Sequence, residues 1–284
     1  MNFHTAPKTF VEHVHLMVED LNRSLSFYQD ILGLSILNKS EKKIDLTLDG
    51  TTSLLTIEQP YNAQPKQPRT AGLYHFALLV PSRKELARVL RHLLNIGYPL
   101  QGAADHLVSE ALYLADPDGN GIEIYRDRDS ADWQWDNGQV VMTTEPLDAE
   151  GLLAESVDTN YEGLPKGTIM GHLHLHVADL EEAEAFYCSG LGFEVVQRLG
   201  NQALFISTGN YHHHLGLNIW SGKGAPAPAS NAVGIHEFTV VYPTNEARRE
   251  AVMRLEQAGY VSAQSETGYY VTDPSGTKMK LAVE

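Results

Sequence analysis

The 284-residue sequence predicts an α+β fold built from four βαβββ-like modules. Three internal repeats predict it. HVHLMVEDLNRSLSFYQDILGL (13–34) returns as HLHLHVADLEEAEAFYCSGLGF (172–193). GLYHFALLVPSRKELARVLRHLLNIGY (72–98) returns, more weakly, as GIHEFTVVYPTNEARREAVMRLEQAGY (234–260). ALYLADPDGNGIEIYRD (111–127) returns as GYYVTDPSGTKMKLAVE (268–284). Self-similarity of this kind marks repeated supersecondary units.

Each element follows from local pattern. In the first repeat, alternating residues read as a strand. Asp20 and Asp179 then suit a helix N-cap, and an amphipathic stretch runs through Phe-Tyr. Gly33 and Gly192 suit the left-handed position that ends a helix. The second repeat reads strand, then helix, closing near Gly97 and Gly259. The third reads strand, Asp-Pro-x-Gly turn, strand. The modules lie near 10–60, 72–127, 168–222 and 233–284. In sequence order this divides the chain into a first module pair (1–130), a connector (131–167) and a second pair (168–284). The connector lacks the module pattern, but Trp133, Trp135 and an apolar LLA mark it as ordered. The Pro-rich YNAQPKQPRTA (61–71) reads as an extended spacer.

Composition narrows the function. A formal net charge of −15 argues against nucleic acid and anionic membrane surfaces as partners. No apolar run approaches the ~20 residues of a membrane span, and MNFHTAPKTFVEHVHL lacks a secretory h-region. The single cysteine, Cys188, allows no intramolecular disulfide, which suits a reducing cytosol. A cytoplasmic protein is expected, with Cys188 packed as a small hydrophobe.

The H-x-x-L-x-V-x-D openings at His13 and His172, together with DPDGNGIEIY, resemble the vicinal oxygen chelate superfamily over nearly the whole chain. That group includes glyoxalases, fosfomycin resistance proteins and extradiol ring-cleaving dioxygenases. HHHLGLNIW, LYLADPDGNGIEIYRDR and MTTEPLD look most like the bacterial catechol 2,3-dioxygenases. The resemblance implies two half-barrels formed by module pairs, with a divalent metal inside one. In the extradiol group the ligands are two His and one carboxylate, leaving open positions for substrate and O₂.

Carried over by position, the resemblance assigns His75 and Glu123 as ligands. Glu123 also stands out by itself, because a carboxylate in an apolar strand needs a partner or a metal. Module four holds Glu237 and Lys280 at the same places. An ammonium argues against a metal there, and an ion pair in a vestigial cavity is expected. The remaining ligand is His13 if modules pair in sequence order, and His172 if module two pairs with module three. The second arrangement is favoured, because it puts the ligands and a histidine triplet in one cavity.

The resemblance also implies a histidine base in the last strand of the module that gives the first ligand. Alignment on Gly216 points to His213. Strand alternation instead puts His212 and His214 on the more polar face, so His214 stays a rival unless a bulge intervenes. Tyr113 and His106 match the remaining active-site Tyr and His.

The implied activity is extradiol cleavage, with both atoms of O₂ inserted into a catechol-type substrate beside the diol. Fe(II) is the expected ion, and Mn(II) fits the same ligands. The partners are then a small aromatic diol and O₂, and the sequence leaves a homo-oligomer open. Two other readings stand beside this one. A glyoxalase-like isomerase or lyase would want more carboxylate ligands than Glu123 alone. A non-catalytic binder of a small aromatic or metal is allowed by a fold that tolerates site loss in module four.

Overall fold

The computed structural model describes residues 2–156, 161–266 and 268–284. Module one comprises the strands Phe10–Met17, Ser35–Lys39, Lys43–Thr47 and Leu55–Glu58, with a helix over Leu21–Ser26 that widens into a π turn at Phe27–Ile31. Module two has Gly72–Leu79, the helix Arg83–Asn95, then Gly102–Asp105, Ser109–Ala115 and Gly121–Asp127. Module three has Ile169–His176, the helix Leu180–Glu184 with its π turn Ala185–Gly190, then Glu194–Leu199, Ala203–Ser207 and Leu215–Asn218. Module four has Gly234–Tyr242, the helix Asn245–Gln257, then Ala263–Ser265, Gly268–Thr272 and Lys278–Val283. The signals read from the repeats act locally. The Asp20 and Asp179 side chains accept from the first backbone N–H groups of their helices. Gly33 and Gly192 take φ of +79° and +93°.

Two sheets carry the fold. Modules one and four share eight strands, and modules two and three share nine. The leading strands meet antiparallel in each, Phe10 opposite Val241 and Ile169 opposite Leu79. The sheets therefore cross the division into residues 1–130 and 168–284. Pairing order is not sequence order: module one pairs with module four, and module two with module three. Modules one and two, and modules three and four, are tied by a different device. The buried Tyr28 hydroxyl donates to Asp116 at 2.8 Å, joining module one to the Asp-Pro turn of module two. Tyr187 does the same to Asp273 of module four at 2.9 Å. A buried hydroxyl needs such a partner, so each repeated Phe-Tyr locks onto the next module's turn.

The connector is ordered over its described residues. Trp135–Asp136 and Gln139–Val140 pair with each other, and Glu145–Pro146 joins the edge of the nine-stranded sheet. The helix Ala149–Ala154, capped by Asp148, is held to Arg83–Asn95 through Arg91 donating to the Leu153 carbonyl at 2.7 Å. The segment 61–71 does more than space modules. The Gln64 N–H donates to Asn231 and its carbonyl accepts from Val233, so it is strapped to the chain that enters module four. Cys188 is half-buried and burial pushes its thiol up to about 12, which keeps it unreactive. Among the described residues, no helix is long and apolar enough to cross a membrane.

Candidate metal centre and cavity

The nine-stranded sheet puts three distant residues together. His75 lies on the leading strand of module two, and Glu123 is on the parallel neighbour, where it stands opposite Ala77. His172, on the leading strand of module three, is also opposite Ala77, from the other side. Ala77 thus separates the two strands that carry Glu123 and His172, and its small side chain leaves room above it. The His75 Nε2 is 3.0 Å and the His172 Nε2 3.3 Å from Glu123 Oε2. One ligand atom from each residue lies within 4.8 Å of the others, the one such His/Cys/Asp/Glu group among the described residues. All three are buried. His13, the other candidate first ligand, lies in the eight-stranded sheet instead.

The donor set fits a divalent cation. His75 Nε2 is buried and has no hydrogen-bond partner, although Glu123 is close by: the approach falls outside hydrogen-bond geometry. Burial pushes the Glu123 carboxyl up, but His172 and His75 outweigh it and hold it well below the usual carboxylate range. Burial lowers His172 to about 4. An ionised carboxylate and a neutral imidazole are the ligating forms.

Above these residues opens a cavity of about 520 Å³. His75, Glu123, His213, Tyr113 and His106 line it, and so do His174, Tyr74, Phe205 and Trp220. The connector adds Met142, Thr143 and Thr144. His106 accepts a hydrogen bond from Tyr113. Its Nδ1 lies 2.6 Å from the Thr143 carbonyl, which can only accept, so Nδ1 carries the proton. Nε2 is then the acceptor for the Tyr113 hydroxyl at 2.6 Å. Burial, followed by the charge of Glu123, raises the Tyr113 phenol well above its usual value, so it stays neutral.

The histidine triplet splits into three environments. It lies ahead of the strand Leu215–Asn218, so strand alternation does not govern it. His213 faces the cavity with its ring 4.1 Å from that of His172. Burial pushes its imidazole well below the ordinary value, with His172 and His212 adding to the shift. His214 is not among the cavity-lining residues. Its Nδ1 accepts from Thr208 N–H at 3.3 Å and its Nε2 donates to the Phe3 carbonyl at 3.0 Å. With both ring nitrogens on backbone groups, it anchors the amino-terminal segment and has none left for a substrate. His212 is buried behind the cavity wall.

His174, to which the sequence reading gave a place on a cavity wall and no role in catalysis or ligation, lines the cavity. It faces His75 across the strand pair and its Nε2 is buried with no partner. The signal was present in HLHLHV, where His172 and His174 share a face. Met142–Thr144 lie in a segment without module pattern, and only the resemblance of MTTEPLD drew attention to them. In module four, no ion pair joins Glu237 to Lys280 among the described residues; Lys280 lies near Glu12 and His13 instead.

Comparison with known proteins follows the same lines. The Glyoxalase/Bleomycin resistance protein/Dioxygenase superfamily matches residues 10–124 and 169–281. A relative from Bacillus subtilis, "Catechol-2,3-dioxygenase", is 47% identical over 269 residues, covering 94% of this chain and 94% of the relative. "Biphenyl-2,3-diol 1,2-dioxygenase 3" of Rhodococcus globerulus is 27% identical over 117 residues, 40% of this chain and 62% of the relative. Glyoxalase I from Zea mays has a similar fold, with a TM-score of 0.60 at 14% identity over 97% of this chain and 92% of that one.

Proposed function

We propose a function from one premise: the chain belongs to the Glyoxalase/Bleomycin resistance protein/Dioxygenase superfamily. We infer that it is an extradiol dioxygenase that opens a catechol-type ring beside its diol with O₂. The observation that carries this is the buried His75–Glu123–His172 group, of which His75 and Glu123 line a cavity that also holds a neutral histidine. The 47% identical relative bears the same activity in its name. A glyoxalase-like reaction is less favoured, since one carboxylate alone stands in the ligand group.

His75, His172 and Glu123 would hold the divalent ion, Fe(II) in this reading. A bound ion of this kind lowers the pKa of the substrate hydroxyls and offers open positions to substrate and O₂. The chain's own residues do the rest. His213, buried and neutral, takes a hydroxyl proton. Tyr113, whose own proton is given to His106, accepts a hydrogen bond from a substrate hydroxyl. Tyr74, Phe205 and Trp220 supply aromatic walls for the ring. Among the described lining residues there is no Lys or Arg. A carboxylate on the ring would be buried without a partner. Catechols with uncharged substituents are therefore the substrate class.

The test is metal content and oxygen uptake on anaerobically purified protein. Catechol and 4-methylcatechol should consume O₂, and 3,4-dihydroxybenzoate should be turned over far more slowly. Fully Fe(II)-loaded protein that consumes no O₂ with any uncharged catechol would remove the dioxygenase reading.

A further inference from the structure

His212 has no part in the site as described: it is fully buried and does not line the cavity. Yet its two ring nitrogens are both engaged. Nε2 lies 2.8 Å from Asp127 Oδ1, and Nδ1 lies 2.8 Å from Nδ1 of His213. We propose that Asp127 and His212 are positioning residues that hold His213 as a hydrogen-bond acceptor facing the cavity. This rests on the reading of His213 as the base.

Proton counting gives the direction. A carboxylate only accepts, so His212 carries its proton on Nε2. Its Nδ1 is then bare. A 2.8 Å contact between two ring nitrogens needs one proton between them, and it comes from His213 Nδ1. His213 Nε2 is left bare, which is the form a base requires. The chain Asp127–His212–His213 therefore selects one tautomer of the last ring.

The surroundings lock this arrangement. The His212 ring is fully buried, 4.1 Å from that of Tyr211 and 5.3 Å from that of Trp133. The Tyr211 hydroxyl approaches Asp127 Oδ1 at 3.3 Å and also meets the Tyr125 hydroxyl at 2.7 Å. Asp127 ends the strand Gly121–Asp127 that carries Glu123. The two carboxylates are four residues apart, hence on one face of that strand. A single rigid element thus spaces the metal ligand and the anchor of the base.

The test joins kinetics to a direct view of the tautomer. In the zinc-loaded full chain, long-range ¹H–¹⁵N correlation of histidine rings reports which nitrogen carries the proton. The His213 signal is identified by its loss in His213→Gln. Wild type should show His213 protonated on Nδ1. His212→Phe, which keeps an aromatic ring in the space, should shift that proton to Nε2. In the Fe(II)-loaded enzyme it should lower kcat roughly 10- to 100-fold, as removal of supporting shells around metal sites does, with metal content unchanged and KM little moved. Asp127→Ala, at a partly exposed side chain, is the second variant. It should give a mixed tautomer and a smaller loss of kcat. His213 protonated on Nε2 in wild type, or unchanged by His212→Phe, would overturn the proposal. Full activity in His213→Gln would instead overturn the base reading beneath it. Loss of kcat in His213→Gln with wild-type kcat in His212→Phe overturns the positioning role alone.

Discussion

The sheet of modules two and three and the sheet of modules one and four align the same three positions and fill them with different chemistry. His172 and His13 stand opposite Ala77 and Thr239, and His174 and His15 opposite His75 and Glu237. Irregularities in register fall at the same steps in both. Glu123 and Lys280 occupy the same place on the parallel neighbour. The triad His172, His75, Glu123 thus has His13, Glu237, Lys280 as its counterpart. One further substitution separates them. Gly216 lies beside His174, and Thr56 lies beside His15. Thr56 donates to Asp45 at 2.7 Å and accepts from His13 Nε2 at 2.8 Å. The nitrogen that would ligate in module one therefore carries a proton and points at a hydroxyl. Burial lowers this His13 to about 4, so it is a satisfied neutral histidine of a packed sheet. Both sheets keep the register, but only the sheet of modules two and three gathers two histidines and a carboxylate, with a glycine beside His174.

The largest effect separates the sheets outright. Glu123→Ala should lower metal content and catechol-dependent oxygen uptake to background, while Lys280→Ala leaves both near wild type. Equal metal loss from the two variants would break the comparison. The converse is to build the missing site: Glu237→His with Lys280→Glu and Thr56→Gly should raise metal content by one ion per chain, read by elemental analysis. A variant that folds and binds no additional metal would show that more than three positions and a glycine divide the sheets.

Smaller effects probe the links between modules. Burial pushes Asp273 up to about 6 from an ordinary 3.8. A raised folded-state pKa means the folded state holds the proton more tightly. The associated stability is present below pH 3.8 and is lost as pH rises through about 6, for roughly 3 kcal/mol in all. Urea unfolding of Asp273→Asn should show this slope removed relative to wild type, and an unchanged slope would dismiss the ionisation as its source. Smallest is the glycine itself. A Cβ on Gly216 would come within 2.8 Å of the His174 ring. Gly216→Thr should cost about 1–3 kcal/mol by overpacking, measured in the same unfolding experiment. A variant as stable as wild type would show that the His174 ring yields at no cost.

Much of this was legible in the sequence, for local reasons. Asp20 and Asp179 cap helices, Gly33 and Gly192 end them, and the Asp-Pro turns close hairpins, all within a few residues of chain. His75 and Glu123 were legible because a family pattern assigns them and an apolar strand makes a carboxylate conspicuous. The choice between His13 and His172 was not local: it depends on which leading strands pair, and both carry the same motif. The separation of His213 from His214 was not legible from periodicity, and only the resemblance, aligned on Gly216, pointed to His213. Strand alternation assumed a strand, whereas the triplet precedes it, and the amino-terminal Phe3 carbonyl claims His214 from a distance no periodicity records.

The crossed pairing also bears on the order in which the molecule takes shape as it is made. Domains emerging from synthesis fold amino-end first. Here the leading strand of module one finds its antiparallel partner only in module four, Phe10 waiting for Val241. The sheet that carries His75, Glu123 and His172 draws on nothing beyond module three. The site-bearing half can therefore assemble while the strand FVEHVHLM of module one still has an open edge, the kind of edge that recruits wrong partners. A nascent chain stalled after module three would then hold a formed His75–Glu123–His172 group beside an unprotected strand.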